Sequence, residues 1–314
     1  MNTTKTTHRQ NDTMITVMAA TGRIGKRIAQ RLLKANLNVR ALGRSESKLS
    51  KLRSAGAETL AGEASDAAFL TDAFRRADAA YTLLPYNPQE SDYYAQQNRV
   101  GEAVIEAVRQ SGVRYVVFLS SVGADQPAGT GMIESMHAQE QRLRGLDGTN
   151  VLILRPGPFF ENLYGILELI KLEGISGDAF APDLALPMIA TRDIADAAAE
   201  ALKARNWKGI AVRELLGQRD ISFAEVTRII GKRIGKPDLE YVQFPYPDMV
   251  KALVQFGFSE NIATLEAEVA RAANEGRIKS REGRNLENTT PTRFEDFADE
   301  LARAYYAARE PSLS

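Results

Sequence analysis

The sequence predicts an α/β protein with a doubly wound parallel sheet, helices on both faces of that sheet, and a smaller C-terminal α/β lobe. Three observations predict this class. Apolar strand-like segments alternate with amphipathic helical segments from residue 14 to residue 154. Loop-forming residues follow the apolar segments, as expected where crossover helices connect parallel strands. With 314 residues, the chain is also long enough to bury a large core and a smaller second one.

The first strand–helix unit begins at residue 14. A strand rich in β-branched residues leads through an Ala-Thr-Gly turn into an amphipathic helix. The apolar face of this helix carries Ile24, Ile28, Leu32 and Leu33. The free N–H groups at its start and the positive end of its dipole would face one point, where a pyrophosphate can bind. An ordinary turn without a ligand is the alternative interpretation.

Glycines in this turn follow a phosphate-binding spacing with one exception. Gly22 would let the backbone approach a phosphate, and Gly25 would let the helix pack closely on the strand. Ala19 occupies the first glycine position, and because alanine is the smallest replacement we expect a slightly tighter turn that still works. The residues expected to contact a dinucleotide in this turn are Ala20, Thr21, Gly22, Arg23, Ile24 and Gly25.

The end of the second predicted strand, residues 37–42, indicates which dinucleotide is bound. A site for NAD would place Asp or Glu there to accept hydrogen bonds from the ribose 2′-hydroxyl. Here Gly43 and Arg44 follow the strand, and Lys48 lies one turn into the next helix. Arg44 can bind a 2′-phosphate through its planar charged group, with Ser45 as a further donor. The sequence therefore predicts NADP(H), with solvated loop charges as the alternative.

The remaining units of the sheet continue the same alternation. Strands are predicted at 58–61, 79–84, 113–119 and 151–154, and helices at 66–76, 91–110 and 133–146. Ligands of parallel sheets bind beyond the carboxyl ends of the strands. The residues expected there, beside the nicotinamide half of the cofactor, are Leu84, Pro85, Ser120, Ser121, Pro156, Gly157 and Phe159. We predict an NADP-binding Rossmann domain at 14–157 and a smaller substrate lobe, partly interleaved with its sheet, at 158–314.

The C-terminal half allows a coarser prediction. Helices are expected at 191–204 and 222–235, the second with Ser222 as its N-cap. Two further amphipathic helices with many charge pairs are expected at 263–275 and 294–309. We expect these two on the lobe surface or at a subunit contact, so a homodimer is a possible assembly.

Composition and charge exclude several classes of function. Lys plus Arg and Asp plus Glu both number 40, so no net field attracts nucleic acid or an anionic membrane. The absence of cysteine excludes disulfides and thiolate chemistry, and two histidines argue against a histidine metal centre. No apolar stretch approaches the roughly 20 residues of a membrane span, and residues 1–13 are polar, without a secretory signal, and expected to be disordered. We therefore expect a cytoplasmic protein that acts on a small molecule and holds no metal.

Together these motifs resemble the NmrA-like branch of the atypical short-chain dehydrogenases over about residues 15–306. The resemblance is carried by Ala-Thr-Gly-x-x-Gly at 20–25, Ser-Ser-Val-Gly at 120–123, Pro-Thr-Arg-Phe-Glu-Asp-Phe at 291–297 and, most specifically, Leu-Arg-Pro-Gly-Pro-Phe-Phe-Glu-Asn-Leu at 154–163. It implies an NADP-binding Rossmann domain with a smaller lobe closing over the nicotinamide. Members of the family include NADPH-dependent reductases of quinones, azo dyes, triphenylmethane dyes and isoflavones. They also include non-catalytic proteins that sense the NADP(H) pool.

The usual proton relay of short-chain dehydrogenases is missing. That relay pairs a Tyr with a Lys four residues further on, and no Tyr in this chain has a Lys at that spacing. No lysine occurs between Lys51 and Lys171. In the helix that would carry it, His137 is the nearest counterpart and could donate a proton, bind substrate or hold the cofactor ribose. A role without chemistry is the alternative for His137, and Glu140 is open to the same two interpretations.

Candidate substrate contacts follow the last core strand and the fourth strand. Asn162 is the polar candidate, since it could orient a carbonyl or the nicotinamide amide. The other candidates are Tyr86, Asn87, Phe159, Phe160 and Tyr164. Aromatic rings over a nicotinamide could stack on a flat substrate, although packing between the lobes is the alternative for the two phenylalanines.

These observations predict an NADPH-dependent reductase that transfers hydride to an electrophilic, aromatic small molecule without a Tyr-Lys relay. A quinone, an azo bond or a cationic dye takes hydride directly, so the protein contributes mainly proximity and orientation. His137 and Asn162 are the predicted catalytic residues. The alternative is a non-catalytic NADP(H)-binding redox sensor, and nucleotide-sugar epimerisation is disfavoured because it needs the absent pair.

Overall fold

The computed structural model describes residues 13–307, so the tail predicted for residues 1–13 lies outside the described residues except for Thr13. The described strands are β1 (Met14–Val17), β2 (Asn38–Gly43), β3 (Glu58–Ala61), β4 (Ala79–Thr82), β5 (Tyr115–Leu119), β6 (Asn150–Pro156), β7 (Ser176–Asp178), β8 (Ala185–Leu186), β9 (Ile210–Leu215), β10 (Ile221–Ser222) and β11 (Tyr241–Gln243). Within residues 13–307, seven of them pair in parallel in the order β3-β2-β1-β4-β5-β6-β9. The predicted doubly wound Rossmann-type sheet is confirmed.

Helices cover both faces of this sheet and form a smaller lobe beside it. They are α1 (Arg23–Lys34), α2 (Glu46–Ser54), α3 (Ala67–Phe74), α4 (Tyr93–Ser111), α5 (Glu134–Arg144), α6 (Tyr164–Leu172), α7 (Thr191–Ala204), α8 (Phe223–Arg233), α9 (Tyr246–Gln255), α10 (Glu260–Asn274) and α11 (Phe294–Ala307). One core packs α1, α2 and α7 on the sheet through residues such as Ile28, Leu49 and Ile194. The core of the opposite face packs α3, α4 and α5. None of the helices between residues 13 and 307 has both the length and the apolar character to cross a membrane.

The strand order creates a crevice at one edge of the sheet. The order reverses between β1 and β4, which are neighbours, so the connections that leave their carboxyl ends run in opposite directions. Such a reversal leaves an open crevice above the carboxyl ends, and open α/β sheets bind their ligands there. The loops after β1, β4, β5 and β6 therefore define the edge at which a functional site is expected.

Four strands differ in their bounds from the sequence prediction: β2 and β5 by one or two residues at an end, and β4 and β6 as follows. β4 ends at Thr82 rather than at residue 84, because the chain leaves the ladder before its Pro-rich turn. β6 continues to Pro156 because its last residues still pair with β9. The predicted N-cap of α8 is confirmed, since Ser222 Oγ accepts a hydrogen bond from the Glu225 N–H at 3.3 Å.

A third core forms the smaller lobe. It packs α6, α8 and α11 together with Phe160, which contacts the rings of Phe294 and Phe297. The last two helices each bury an apolar side, with Leu301 of α11 and Ile262 of α10 fully buried, and expose residues on the opposite side, so a subunit contact there stays a prediction. In both helices the apolar face packs inside the chain. The division of the chain at residue 157 stays a prediction, and α7 and β9 complete the main sheet layer from beyond it.

Candidate functional site

The turn between β1 and α1 is held by its own backbone. The Ala20 N–H donates to Leu42 O at 2.8 Å, and the Gly22 N–H donates to Ala19 O at 2.9 Å. Ala19 has a φ of +49°, a left-handed conformation in which glycine is favoured and a Cβ is strained. α1 then begins without a side-chain cap and without an acidic residue in its first turn. Its first N–H groups are therefore available to an anion.

The two glycines of this turn have different surroundings. A Cβ placed on Gly25 would lie 2.5 Å from Ala19 O and 2.9 Å from Met18 O, so only glycine lets α1 pack this closely on β1. A Cβ on Gly22 would meet nothing nearer than Ala19 O at 3.4 Å, and Gly22 has an ordinary φ of −82°. The protein itself therefore tolerates a larger residue at position 22. The open space beside Gly22 is available to a ligand.

A basic pocket of about 280 Å³ lies between the starts of α1 and α2. Its lining residues are Ala20, Thr21, Lys26, Ser47, Lys48, Ser50, Lys51 and Leu52. Lys48 was predicted from the sequence, whereas Lys26 and Lys51 were not, because they lie on two helices that only the folded sheet brings together. Arg44 is exposed beside α2 and has no hydrogen-bond partner among residues 13–307. Three lysines around one small pocket favour an anionic group.

Arg23 connects the start of α1 to the smaller lobe. Its guanidinium carbon lies 5.1 Å from the centroid of the Tyr164 ring, a cation–π distance, and Tyr164 in turn makes an edge contact with Phe297. Both predicted site residues thus lie together where the lobe meets the crevice.

The loop after β4 is anchored by a hydrogen bond from a side chain of α4. The Gln97 side chain is buried, and its Nε2 donates to Pro85 O at 3.0 Å. Leu84 is buried and Pro85 is half-buried, so both border the crevice as backbone and apolar surface. Asn87 is turned into its own loop, where its Oδ1 accepts a hydrogen bond from the Gln89 N–H.

The loop after β5 is tied to α5 and β6 by a buried ion pair. Glu140 is 0 % exposed, and its carboxylate accepts hydrogen bonds from Arg155 Nε at 2.8 Å and Arg155 Nη2 at 2.5 Å. The Ser120 hydroxyl donates to the same carboxylate at 2.6 Å. Glu140 therefore has the structural role that sequence analysis left open. The hydroxyl of Ser120 is engaged inside the protein, whereas Ser121 is half-buried at the loop surface.

His137 lies on α5, one turn before Glu140, and is half-buried. Its Nδ1 lies 2.9 Å from Ala124 O. Because a carbonyl only accepts hydrogen bonds, Nδ1 carries the proton, and Nε2 is the nitrogen left for another partner. In the neutral ring Nε2 accepts a hydrogen bond, and in the charged ring it donates one. A hydrogen bond to a backbone carbonyl also fits the role without chemistry, so the catalytic role of His137 stays a prediction.

In the segment after β6, some residues pack inside the protein and others are exposed. Gly157 is buried, and a Cβ there would lie 2.1 Å from Pro187 O. Pro156 O accepts a hydrogen bond from the Val122 N–H at 2.9 Å, which closes the sheet edge. Phe160 lies in the lobe core, so its packing role is the one observed, and Phe159 is half-buried. Asn162 is exposed on a 3₁₀ turn.

Tyr86 was a candidate from the sequence, but its hydrogen-bonded partner in the structure, Glu266, was not. Tyr86 follows β4, and its hydroxyl donates to Glu266 Oε1 of α10 at 3.2 Å. Burial raises the pKa of Glu266 to about 7, with a further increase from the nearby Asp178. Burial likewise raises the pKa of Asp178 to about 6. Tyr86 and Glu266 are 180 residues apart, so no local sequence signal could have indicated their pairing.

Residues 13–307 contain no group of three or more His, Asp or Glu side chains that could hold a metal ion. Glu140 and Glu266 are already engaged, by Arg155 and by Tyr86. The groups described above that a ligand could meet are the backbone N–H groups of α1, the lysine side chains, Nε2 of His137 and the Tyr86 hydroxyl.

The reversal in strand order and the glycine turn before α1 define a Rossmann-type α/β protein. The model of the NmrA-like family matches residues 11–298, and the chain belongs to this family. The resemblance predicted from the sequence motifs is confirmed.

Similarity to individual proteins is more distant. The (4-alkanoyl-5-oxo-2,5-dihydrofuran-3-yl)methyl phosphate reductase of Streptomyces griseus is 29% identical over 224 residues, which are 71% of this chain and 75% of that enzyme. The NADPH-dependent quinone oxidoreductase of Escherichia coli, in a structure with NADPH, has a TM-score of 0.76 and 21% identity over 95% of this chain and 100% of its own. The triphenylmethane reductase of Citrobacter sp. has a TM-score of 0.76 and 18% identity, over 93% of this chain and 99% of its own. The two structures share the fold of this chain.

Proposed function

We propose that this protein is an NADPH-dependent reductase of small electrophilic acceptors. The observation that carries this function is the start of α1, which is uncapped, has open space beside Gly22, and borders a pocket with three lysines. A dinucleotide fits these features because its pyrophosphate would meet the N–H groups and its 2′-phosphate would meet the lysines. The chain's relatives support the same class, since their names describe a phosphate-ester reductase, a quinone oxidoreductase and a dye reductase.

The residues of the chain would bind the cofactor, orient the acceptor and exclude water from the site. NADPH supplies a hydride when it is bound. Gly22, Arg23 and the basic pocket would hold its phosphates, and the loops after β4, β5 and β6 would border the nicotinamide. His137 would present Nε2 to the ribose or the substrate, and Asn162 would orient the acceptor. Because no Tyr has a Lys four residues on, we expect acceptors that accept hydride without strong acid catalysis, such as quinones, azo compounds and cationic dyes.

A turnover assay tests this function directly. NADPH oxidation is followed with 1,4-naphthoquinone, an azo dye and a cationic triphenylmethane dye, and we expect turnover with at least one of the three. His137→Ala and Asn162→Ala should lower kcat/KM by about tenfold or more if both orient substrate. Equal, tight binding of NADP⁺ and NADPH with no acceptor reduced would instead indicate the non-catalytic sensor.

The choice of NADP(H) over NAD(H) can be tested by reversing single charges. We expect Arg44→Glu and Lys48→Glu each to weaken NADPH binding by about 10- to 100-fold, as the loss of a charged hydrogen bond to phosphate implies. NADH binding should change by less than about threefold, because NADH has no 2′-phosphate. Lys34→Glu, at the far end of α1, makes the same charge change as the Lys48 variant and should affect neither cofactor. Equal weakening of both cofactors would show that these residues do not contact the 2′-phosphate.

A further inference from the structure

Tyr86 combines a place at the edge of the crevice with a hydroxyl that is hydrogen-bonded within the protein. It belongs to the loop after β4, which borders the crevice at the point where the strand order reverses. Its side chain is 47% exposed although its hydroxyl is held by Glu266 of α10. An exposed ring with a fixed hydroxyl is unusual for a packing residue, because exposed side chains normally rotate freely. The hydroxyl is thus held in one place at the edge of the open site.

The contact between the β4 loop and α10 is supported by several further hydrogen bonds. The N-cap residue of α10, Ser259, donates its N–H to Pro88 O at 2.9 Å and its hydroxyl to Glu90 O at 2.5 Å. Asn261 Oδ1 accepts a hydrogen bond from the Tyr93 N–H at 3.0 Å. The start of α10 is therefore fixed to the loop that carries Tyr86. These contacts preorganise the Tyr86–Glu266 pair without any ligand.

The surroundings of Glu266 favour a proton that is held near neutral pH. The groups that act on its carboxyl are Tyr86, whose hydrogen bond lowers its pKa, and Asp178, whose negative charge raises it. Tyr93, at the start of α4, feels the charge of Glu266 as well. Burial is the largest of these effects and gives Glu266 a pKa of about 7. Burial and the neighbouring Glu266 raise the pKa of Tyr86 itself, so its hydroxyl stays protonated.

We propose that Tyr86 is the catalytic proton donor of the reductase and that Glu266 is the positioning residue that supplies the proton to it. This inference rests on the proposed function and deepens it. When a quinone accepts a hydride, its two electrons leave one oxygen with a negative charge and in need of a proton. When Glu266 is protonated, its carboxyl group donates to the Tyr86 oxygen, so the Tyr86 hydroxyl gives its own proton to the substrate oxygen while it receives one from Glu266, and no phenolate forms. Glu266 is left ionised and regains its proton from solvent.

The Tyr86–Glu266 pair would take the role of the missing Tyr-Lys pair in proton donation, but by a different mechanism. A neighbouring lysine makes a tyrosine a better acid by stabilising its phenolate. A protonated carboxyl group instead replaces the proton as it leaves. The proton donor would come from the β4 loop rather than from α5, whose His137 faces Ala124 with one nitrogen.

Substitution of the two residues, each with a matched control, tests this role. In 1,4-naphthoquinone reduction, Tyr86→Phe should lower kcat by about 100-fold, within the range of general acid catalysis, and Glu266→Gln by a similar factor. The control for the tyrosine is Tyr94→Phe, which removes the hydroxyl of a tyrosine in the first turn of α4. The control for the carboxyl group is Glu268→Gln, which removes a charge two residues after Glu266 on the exposed side of α10. Both controls should retain wild-type kcat. Circular dichroism and NADPH binding establish that each variant is folded.

Two activity readouts separate proton transfer from a packing role. The wild-type kcat with the quinone should fall as the pH rises through about 7, and Glu266→Gln should lose this dependence. A cationic triphenylmethane dye needs a hydride and no proton, so Tyr86→Phe should reduce such a dye at the wild-type rate. A general loss of activity with quinone and dye alike would indicate packing and overturn the assignment.

A titration without cofactor gives a readout besides activity. The ¹³C carboxyl resonance of Glu266 should titrate near pH 7, and its pKa should rise in Tyr86→Phe because a hydrogen bond that stabilises the carboxylate is lost. Asp178→Asn should lower the same pKa. Unchanged quinone kcat in Tyr86→Phe and Glu266→Gln overturns the proposal while the reductase function stands. A wild type that oxidises NADPH with none of the three acceptors overturns both.

Discussion

Replacing Glu140 with alanine should lower the free energy of unfolding by about 3–5 kcal/mol, because it leaves the Arg155 guanidinium charged, buried and unpaired. The Ser120 hydroxyl loses its acceptor in the same variant, which adds to the destabilisation. Urea denaturation at pH 7 measures the change. The effect should exceed that of removing any of the exposed ion pairs, since those contribute about 0–1 kcal/mol. Arg75→Ala, whose partner Asp72 is exposed, is a suitable comparison.

A double substitution separates the burial of a charge from the shape of the site. Because desolvation offsets most of the attraction within a buried pair, Glu140→Met combined with Arg155→Met should recover much of the stability lost in Glu140→Met alone. A double variant that is clearly less stable than the wild type would show that the pair makes a net favourable contribution, whereas single losses that simply add would show that the two residues do not interact. A loss below about 1 kcal/mol in Glu140→Ala would contradict the burial of Arg155 altogether.

The buried pair also bears on the proposed site. It joins α5, which carries His137, to β6 and to the loop after β5. Partial loss of this contact would let α5 move relative to the crevice. We therefore expect His137 to become misplaced in any Glu140 variant that still folds, so the stability measurement needs to precede any kinetic interpretation.

Much of the fold was predictable because its signals are local. The run of β-branched residues from Met14, the helical spacing of Ile28 and Leu32, and the capping by Ser222 all act within a few residues. The glycine turn was predictable for the same reason, since Gly22 and Gly25 are three residues apart. Strand–helix alternation then restricts the topology to few alternatives.

The remaining parts of the site depend on contacts between distant segments. Lys26 and Lys51 line one pocket because β1 and β2 are neighbours, which only strand pairing determines. Glu140 looked ambiguous because its partner, Arg155, lies on the next strand and its burial depends on the packing of α5. Glu266 could not be recognised from the sequence as a site residue, because an acidic residue on an amphipathic helix is normally solvated.

Replacing Gly25 with alanine should disrupt the start of α1 and with it the binding of NADPH. The added Cβ would lie 2.5 Å from Ala19 O and 2.9 Å from Ala19 C, and backbone atoms cannot move aside as a flexible side chain can. α1 must therefore shift away from β1, which should lower the free energy of unfolding by about 1–3 kcal/mol, as overpacking does. A shift of this kind also moves the N–H groups that would hold the pyrophosphate. We expect NADPH affinity to fall by at least tenfold, since misplaced charged hydrogen bonds of about 1.5–3 kcal/mol are involved.

Gly22→Ala is the matched control because it adds the same methyl group three residues earlier. Its Cβ has room within the protein, so urea denaturation should show a change of less than about 0.5 kcal/mol. Its affinity for NADPH, measured by fluorescence titration, should nevertheless fall by at least tenfold, because the methyl group would occupy the space that a phosphate needs. A stable Gly22→Ala that binds NADPH like the wild type would mean that no phosphate approaches this turn. Binding lost without a loss of stability, set beside Gly25→Ala losing both, would separate the glycine that serves the ligand from the one that serves the fold.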